Sequence, residues 1–464
     1  MEAFRSRIKA LLPALLLCAG LITAGMGVCA AASAPPASAP ASSPAAAAGK
    51  AAEPDFEAVI AAGPTLPVLI SAAYARNPSI TAARKAWDAA LRSIPAAEAW
   101  DDPELTAAYW PDSLADAGSR KWQLMVTQAL PLPGRTTAAG RVARALALSG
   151  RIALDAAVRQ TVTAVTASFH ELSYIRRALE LAAGNREALR SLSALADSSY
   201  ARDRATLTDA MKARSQAAQA ELDLAYFKEQ EAVETARMNA LLDRPATAPI
   251  GPLAPLAEPA LAYSIDEVAC LAETGADAVR AAGAELARAR AEAGLTRYEN
   301  LPEPTLGLLY ETVETNQPGA GWEGMVGVQL GLSIPLWGSK NSARTGAAAA
   351  QVEKALAERA GSENETRVKV RETWFLLLNA ERVEALYRDR LIPQAARSSE
   401  TAISWARQGL GGVADAIEIQ SSWYSFQLAL ARAGADRAIA LARLEELAGV
   451  RLTARDVAEP CGGS

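Results

Sequence analysis

QALPLPGR, from Gln128 to Arg135, has a partner in the same chain: LSIPLWGS, from Leu332 to Ser339. In each, an alternating apolar stretch runs into a Pro-Leu-x-Gly corner, and a long Ala-rich helical stretch follows. Pro131 and Pro335 cannot donate to a sheet ladder, so a strand must stop there. Gly134 and Gly338 let the backbone turn sharply into a helix. The two prolines lie 204 residues apart (335 − 131), while Asp209 and Asp415, like Phe169 and Phe375, lie 206 apart. A near-constant offset over half the chain means two tandem copies of one unit.

Outward from the corners, the first copy occupies 66–245 and the second 266–452, with a Pro-rich linker over 246–265 and a tail over 453–464. Each copy opens on a helical segment, Leu66 to Trp100 and Asp266 to Asn300. The first is interrupted at Asn77-Pro78, where Ser79 can cap the restart. Strands follow at about 104–110 and 121–130, and again at about 305–312 and 324–334, each pair joined by a polar loop. Behind each corner comes a rod: Thr136 to Ala201, returning as Thr208 to Asp243, and Ser339 to Arg407 with a kink at Pro393, returning as Asp415 to Ala448. Val158, Val162, Val165, Phe169, Leu172 and Leu179 recur at threes and fours, which is coiled-coil spacing.

The N-terminus is of an exported kind. Arg5, Arg7 and Lys9 precede an apolar run, Leu11 to Val28, and Val28-Cys29-Ala30 offers a small-residue cleavage site, giving a signal peptide over 1–30. Residues 31–65 form an Ala/Pro/Ser-rich linker unable to bury a core. Beyond the signal no apolar helix is long enough to span a bilayer. Any membrane contact must be made by strands.

Val326, Val328, Leu330, Leu332 and Ile334 alternate strictly with Gly327, Gln329, Gly331 and Ser333. Strands near ten residues, joined by hydrophilic loops in an exported chain, fit a transmembrane barrel. Trp110, Trp122, Trp322 and Trp337 fall at strand ends, where such barrels carry aromatic girdles. Four strands cannot close a barrel, and open edges are not tolerated in lipid, so several chains must pool their strands.

The 464 residues are 50% hydrophobic and 21% charged, with a net charge of −5, and no basic face marks a nucleic-acid binder. A single histidine, His170, gives a metal site or a triad almost nothing to build on. No nucleophile–base pair or Gly-rich phosphate loop is present, so the chain is expected to be no enzyme and to need no cofactor. Cys270 and Cys461 leave a disulfide and two isolated thiols equally open.

The duplicated unit, the strand–corner–long-helix pattern and the segment GLGGVADAIEIQ, Gly409 to Gln420, with its weaker first-copy equivalent RATLTDAMKARSQ, Arg204 to Gln216, resemble the TolC-type outer-membrane efflux family. The resemblance runs from Leu66 to Leu452. It implies a mainly α, TolC-like fold in which a homotrimer builds a twelve-stranded barrel in outer-membrane lipid above a long periplasmic α-barrel. It also implies two partners at the tip, a periplasmic adaptor (membrane fusion protein) and an inner-membrane pump. The PLPGR corner is similar to the branch working with heavy-metal pumps of the RND type. By motif, Gly409 forms the tip turn, and Asp415 and Glu418, one helical turn apart, form stacked acidic rings of a cation-attracting gate. Asp209 stands on the neighbouring helix end and contributes less. The implied function is a passive exit duct; a soluble periplasmic coiled-coil adaptor is the alternative, disfavoured by the duplicated strand pairs.

Overall fold

The computed structural model describes residues 56–110, 120–254, 261–314 and 322–453. In the first copy these form α1 (Phe56–Ala62), α2 (Leu66–Arg76), α3 (Pro78–Glu98), β1 (Glu104–Tyr109), β2 (Arg120–Ala129), α4 (Arg135–Tyr200) and α5 (Leu207–Leu241). In the second they form α6 (Ile265–Gly275), α7 (Asp277–Glu299), β3 (Glu303–Glu314), β4 (Trp322–Ser333), α8 (Gly338–Leu386), α9 (Ile392–Gln408) and α10 (Val413–Ala448). The stretch read as a signal peptide, the loop over 111–119 and Cys461 lie outside the described residues. Helix α1 sits inside the stretch read as linker, because Ile60 finds an apolar site against α2 and α4. The stretch after α5 is likewise held down: Arg176 donates to the carbonyls of Ile250 and Gly251 at 2.8 and 2.6 Å, and Ile250 is buried. Cys270 is disulfide-bonded.

The four strands make one antiparallel sheet in the order β1-β2-β3-β4. Strands β2 and β3 are neighbours although the whole first helical excursion separates them, with Ala129 opposite Thr305. All chain exits to helices therefore lie at one end of the sheet. Helix α4 leaves that end and runs 66 residues, about 100 Å at 1.5 Å per residue. Its buried positions include Thr161, Val165, Ser168, Leu172 and Ile175, then Ala178, Ala182, Asn185, Leu189, Leu192 and Ala196. These alternate by threes and fours, as a helix clasped by antiparallel neighbours requires. Many are alanines, which lets the axes approach closely.

The helices stand side by side in the same order as the strands. Helices α3 and α5 flank α4 on one side, α7 and α10 flank it on the other, and α8 with α9 lies beyond those. Helices α5 and α3 are spliced end to end by one side chain. Asn77 caps α3, its Oδ1 accepting from the N–H groups of Ser79 and Ile80, while its Nδ2 donates to the carbonyl of Leu241 at 2.9 Å. The cap is thus Asn77 rather than Ser79, because the buried amide serves both helix ends at once. Each copy has its own apolar core: Leu69, Phe169, Leu172, Met238 and Leu242 in the first, Val268, Leu377, Leu444 and Leu452 in the second.

The irregularity in the second long helix, read from sequence as a kink at Pro393, is a π-turn that precedes it. The helix slips into one π-turn, Tyr387–Leu391, and Pro393 follows at the start of α9. Proline lacks the N–H that would bond back one turn, and the wider turn absorbs that loss. The equivalent stretch of α4, Leu181 to Asn185, stays α-helical.

The two corners differ. Gly134 has φ +93°, and a Cβ there would stand 2.7 Å from the hydroxyl of Tyr298 on α7. Gly338 is the first residue of α8, lacks a positive φ, and has open space where a Cβ would project. The shared PLxG motif therefore encodes a required glycine only at Gly134 within one chain. Gly134→Val should abolish folded channel, read as loss of the heat-modifiable oligomer band. Adding Tyr298→Ala should restore only part of it, because the left-handed backbone remains strained.

Candidate functional site: the sheet faces and the helical tip

Register divides the sheet into two chemically distinct faces. Leu105 faces Val126, which faces Leu308, which faces Val328, and the row of Tyr109, Trp122 and Thr312 is likewise continuous. This face carries Leu124, Leu306, Tyr310, Val326, Leu330 and Leu332 as well, and Leu330 is 81% exposed. Such a face is unstable in water and suited to hydrocarbon. The other face carries Thr106, Gln123, Thr127, Gly307, Glu311 and Gln329. Tyr109 and Trp122 stack at 4.4 Å between ring centroids at the hairpin end, and Trp337 stands exposed at the corner end. Strand β2, with ten residues, spans about 33 Å along its axis and about 25 Å when tilted as barrel strands are. Among the described residues no helix is long and apolar enough to cross a membrane.

At the far end of the rods, the two hairpin turns repeat each other at an offset of 206. Asp203 and Gly409 both take positive φ, +55° and +74°. Three residues on, the copies diverge. Thr206 caps α5 in a reciprocal box: its Oγ1 accepts from the N–H of Asp209 at 3.2 Å, and Asp209 accepts from the N–H and hydroxyl of Thr206 at 3.0 and 2.8 Å. Those bonds hold the Asp209 carboxyl below its usual range. In the second copy the cap position is Gly412, which offers no side chain, so α10 has no side-chain cap. Asp415 is left exposed, beside a groove with Arg397, Trp405 and Ile419. Glu418 is exposed too, 3.7 Å from Lys212 of α5, and both acids border a groove of about 600 Å³ with Ser422 and Phe426. The structure thus places Asp415 and Glu418 together and assigns Asp209 to a cap.

Below the acids, a buried amide relay ties three helices. Ser399 donates to Gln420 at 2.9 Å, and Gln420 donates to Asn185 at 3.3 Å. Towards the tip, Leu189, Leu192, Ala213, Val413 and Ile417 form one apolar cluster. Nearer the splice, a crevice of about 770 Å³ between the two copies is lined by charges. Arg432 donates to both oxygens of Glu171 at 2.8 Å and lies 5.0 Å from the Tyr174 ring. Glu384 is buried against Arg437 at 2.9 Å. His170 packs edge-on against Phe169, and burial, helped by the charge of Arg437, holds its pKa at about 4. These ion pairs join segments far apart in sequence, so no local spacing announces Glu171 with Arg432 or Glu384 with Arg437.

A duplicated rod-and-sheet chain with one lipid-compatible face and a polar reverse defines a channel subunit. The chain belongs to the outer membrane efflux protein family, whose sequence pattern matches residues 69–243 and 271–450. It is similar in fold to a membrane protein from Pseudomonas aeruginosa, at 21% identity over 83% of this chain and 93% of that one, TM-score 0.69. The outer membrane protein VceC from Vibrio cholerae matches at 17% identity over 83% and 96%, TM-score 0.67. The CmeC outer membrane channel from Campylobacter jejuni matches at 13% over 83% and 85%, TM-score 0.65. No curated protein matches the sequence. As a member of this family the protein is an outer-membrane exit duct of a tripartite efflux system and not an enzyme. Channels of the family form trimers and work with an adaptor and an inner-membrane pump.

The depressed pKa of His170 makes folding pH-dependent. Above its ordinary value near 6.5 the ring is neutral in folded and unfolded chains alike. Between that value and about 4 only the unfolded chain binds the proton, so stability falls as pH falls through this window. The loss should amount to about 1–2 kcal/mol per chain once partial exposure is allowed for. Thermal melts of His170→Gln should show a smaller drop between pH 7 and pH 4.5 than the wild-type protein.

Proposed function

We propose that this duct is gated at its periplasmic tip by Asp415 and Glu418 and serves a pump of the RND type that exports cations. The observation that supports the gate is the exchange of the capping Thr206 for Gly412 in the second copy, which frees Asp415 from helix capping. Its carboxylate then stands one turn from Glu418 on the same groove. Three chains around one axis stack two rings of three carboxylates. Unit charges about 4 Å apart repel by about 1 kcal/mol even at water-like screening, and by more in a narrow mouth. Such a ring is relieved by cations, which is the selectivity logic of acidic pore constrictions. The pump type and heavy-metal cargo rest on the PLPGR corner, Pro131 to Arg135. Export to the outer membrane is carried by the signal over 1–30, and Gly409 sets the turn that presents the acids. Asp209, spent on its cap, contributes less.

Planar-bilayer recording tests the gate. Asp415→Ala combined with Glu418→Ala should lower cation selectivity several-fold and abolish block by divalent or trivalent ions, while Asp209→Ala should destabilise α5 without moving either property. Wild-type selectivity and block in the double variant would place the gate elsewhere.

A further inference from the structure

The single chain ends at two raw edges. Among the described residues, strand β1 has a partner on one side only, and so has β4. The helical layer ends the same way, with α3 and α5 on the first edge and α8 and α9 on the second. One rotation that joins the second edge of a chain to the first edge of its neighbour satisfies strands and helices together. The internal duplication supplies the register of that joint, because the contact between copies within a chain is a template for the contact between chains.

Two offsets relate the copies near the sheet. The leading segment is offset by 199: Pro103 matches Pro302, and β1 begins at Glu104 as β3 begins at Glu303. The corner is offset by 204, matching Pro131 to Pro335 and the last residue of β2, Ala129, to that of β4, Ser333. Within the chain β2 pairs with β3 so that Gln128 faces Leu306 and Val126 faces Leu308. Carrying β2 forward and β3 back by these offsets sets Leu332 opposite Ala107 of the partner subunit and Leu330 opposite Tyr109 of the partner subunit. The mapping knows nothing of hydrophobicity, yet it brings apolar face to apolar face. A slip of one residue would set Leu330 and Leu332 against the polar side.

The corner adds a separate observation. Gly134 is packed by the Tyr298 ring, whereas a Cβ on its counterpart Gly338 would meet no atom within 4 Å among the described residues of its own chain. The offset of 199 takes Tyr298 to Ala99, and the next residue is Trp100, which is 60% exposed. We propose that β4 of one chain pairs with β1 of the next in the register that sets Leu332 opposite Ala107, and that Trp100 of the partner subunit fills the space over Gly338. This rests on the trimeric duct reading and specifies its joint.

Cysteine cross-linking in membranes, oxidised with a membrane-permeant reagent, tests the register. Ala107→Cys with Leu332→Cys should give a covalent trimer on a non-reducing gel at ten-fold or more the yield of Ala107→Cys with Val328→Cys, whose sites differ by about 13 Å along the strand. Each single-cysteine variant controls for the native cysteines. Equal or stronger linking in the second pair overturns the register, as does absence of linking in a protein that native mass measurement shows to be trimeric. A monomer outside the outer-membrane fraction overturns the duct reading, and the joint with it. For the corner, Gly338→Val should lower trimer yield several-fold, and in a Trp100→Ala background it should cost nothing further. Independent, additive losses would remove Trp100 from the corner.

Discussion

An unpaired strand edge has nowhere to go in hydrocarbon. Its N–H and C=O groups find no water there, and each one left unmet costs several kcal/mol. A four-stranded sheet with an apolar face therefore cannot be the finished object. Much of the architecture follows from that one prohibition. The sheet must continue into other chains, the helices behind it must continue in step, and both layers must end on matching edges. The shared lateral order of strands and rods meets this demand, since one closing operation completes both.

Duplication makes the ring economical and its departures from symmetry informative. At the tip the copies share their turn geometry and differ in one capping residue, so Asp209 is structural while its equivalent Asp415 is exposed. Lys212 and Glu418 also occupy equivalent positions, with opposite charge, and lie 3.7 Å apart. On the long helices the π-turn belongs to the second copy alone, and the Ser399–Gln420–Asn185 relay lies further toward the tip along the same rod. Each of these differences reduces a wall of six similar units to threefold symmetry, and all of them fall in the lower half of the rod.

How much of this was legible in the chain depended on whether the deciding contact was local. Strand alternation, helix periodicity and the PLxG corners are local, and each strand and rod lies within a few residues of where the pattern puts it. Helical spacing puts Asp415 and Glu418 one turn apart on one face, and they do border one groove, but it was the resemblance of the tip segment and not the spacing that singled them out. Contacts between distant segments were not legible. Nothing next to Asn77 announces that its amide also reaches Leu241, which is why Ser79 looked like the cap. Gly134 and Gly338 read alike because the residue that separates them, Tyr298, comes from another helix. The charged crevice around Arg432 and Glu171 was hidden for the same reason.

The Asn77 splice orders events in time. Asn77 and Leu241 are 164 residues apart, so their bond cannot form until the α4–α5 hairpin has folded back on itself. Contacts of low sequence separation close faster than distant ones, since less chain must be gathered to make them. The tip hairpins, whose arms meet across turns of a few residues, are the fast elements. The β2–β3 pairing spans a whole helical excursion and belongs with the slow ones. A chain that folds from tip to sheet keeps its apolar strands apart until the rods are in place to hold them at the bilayer.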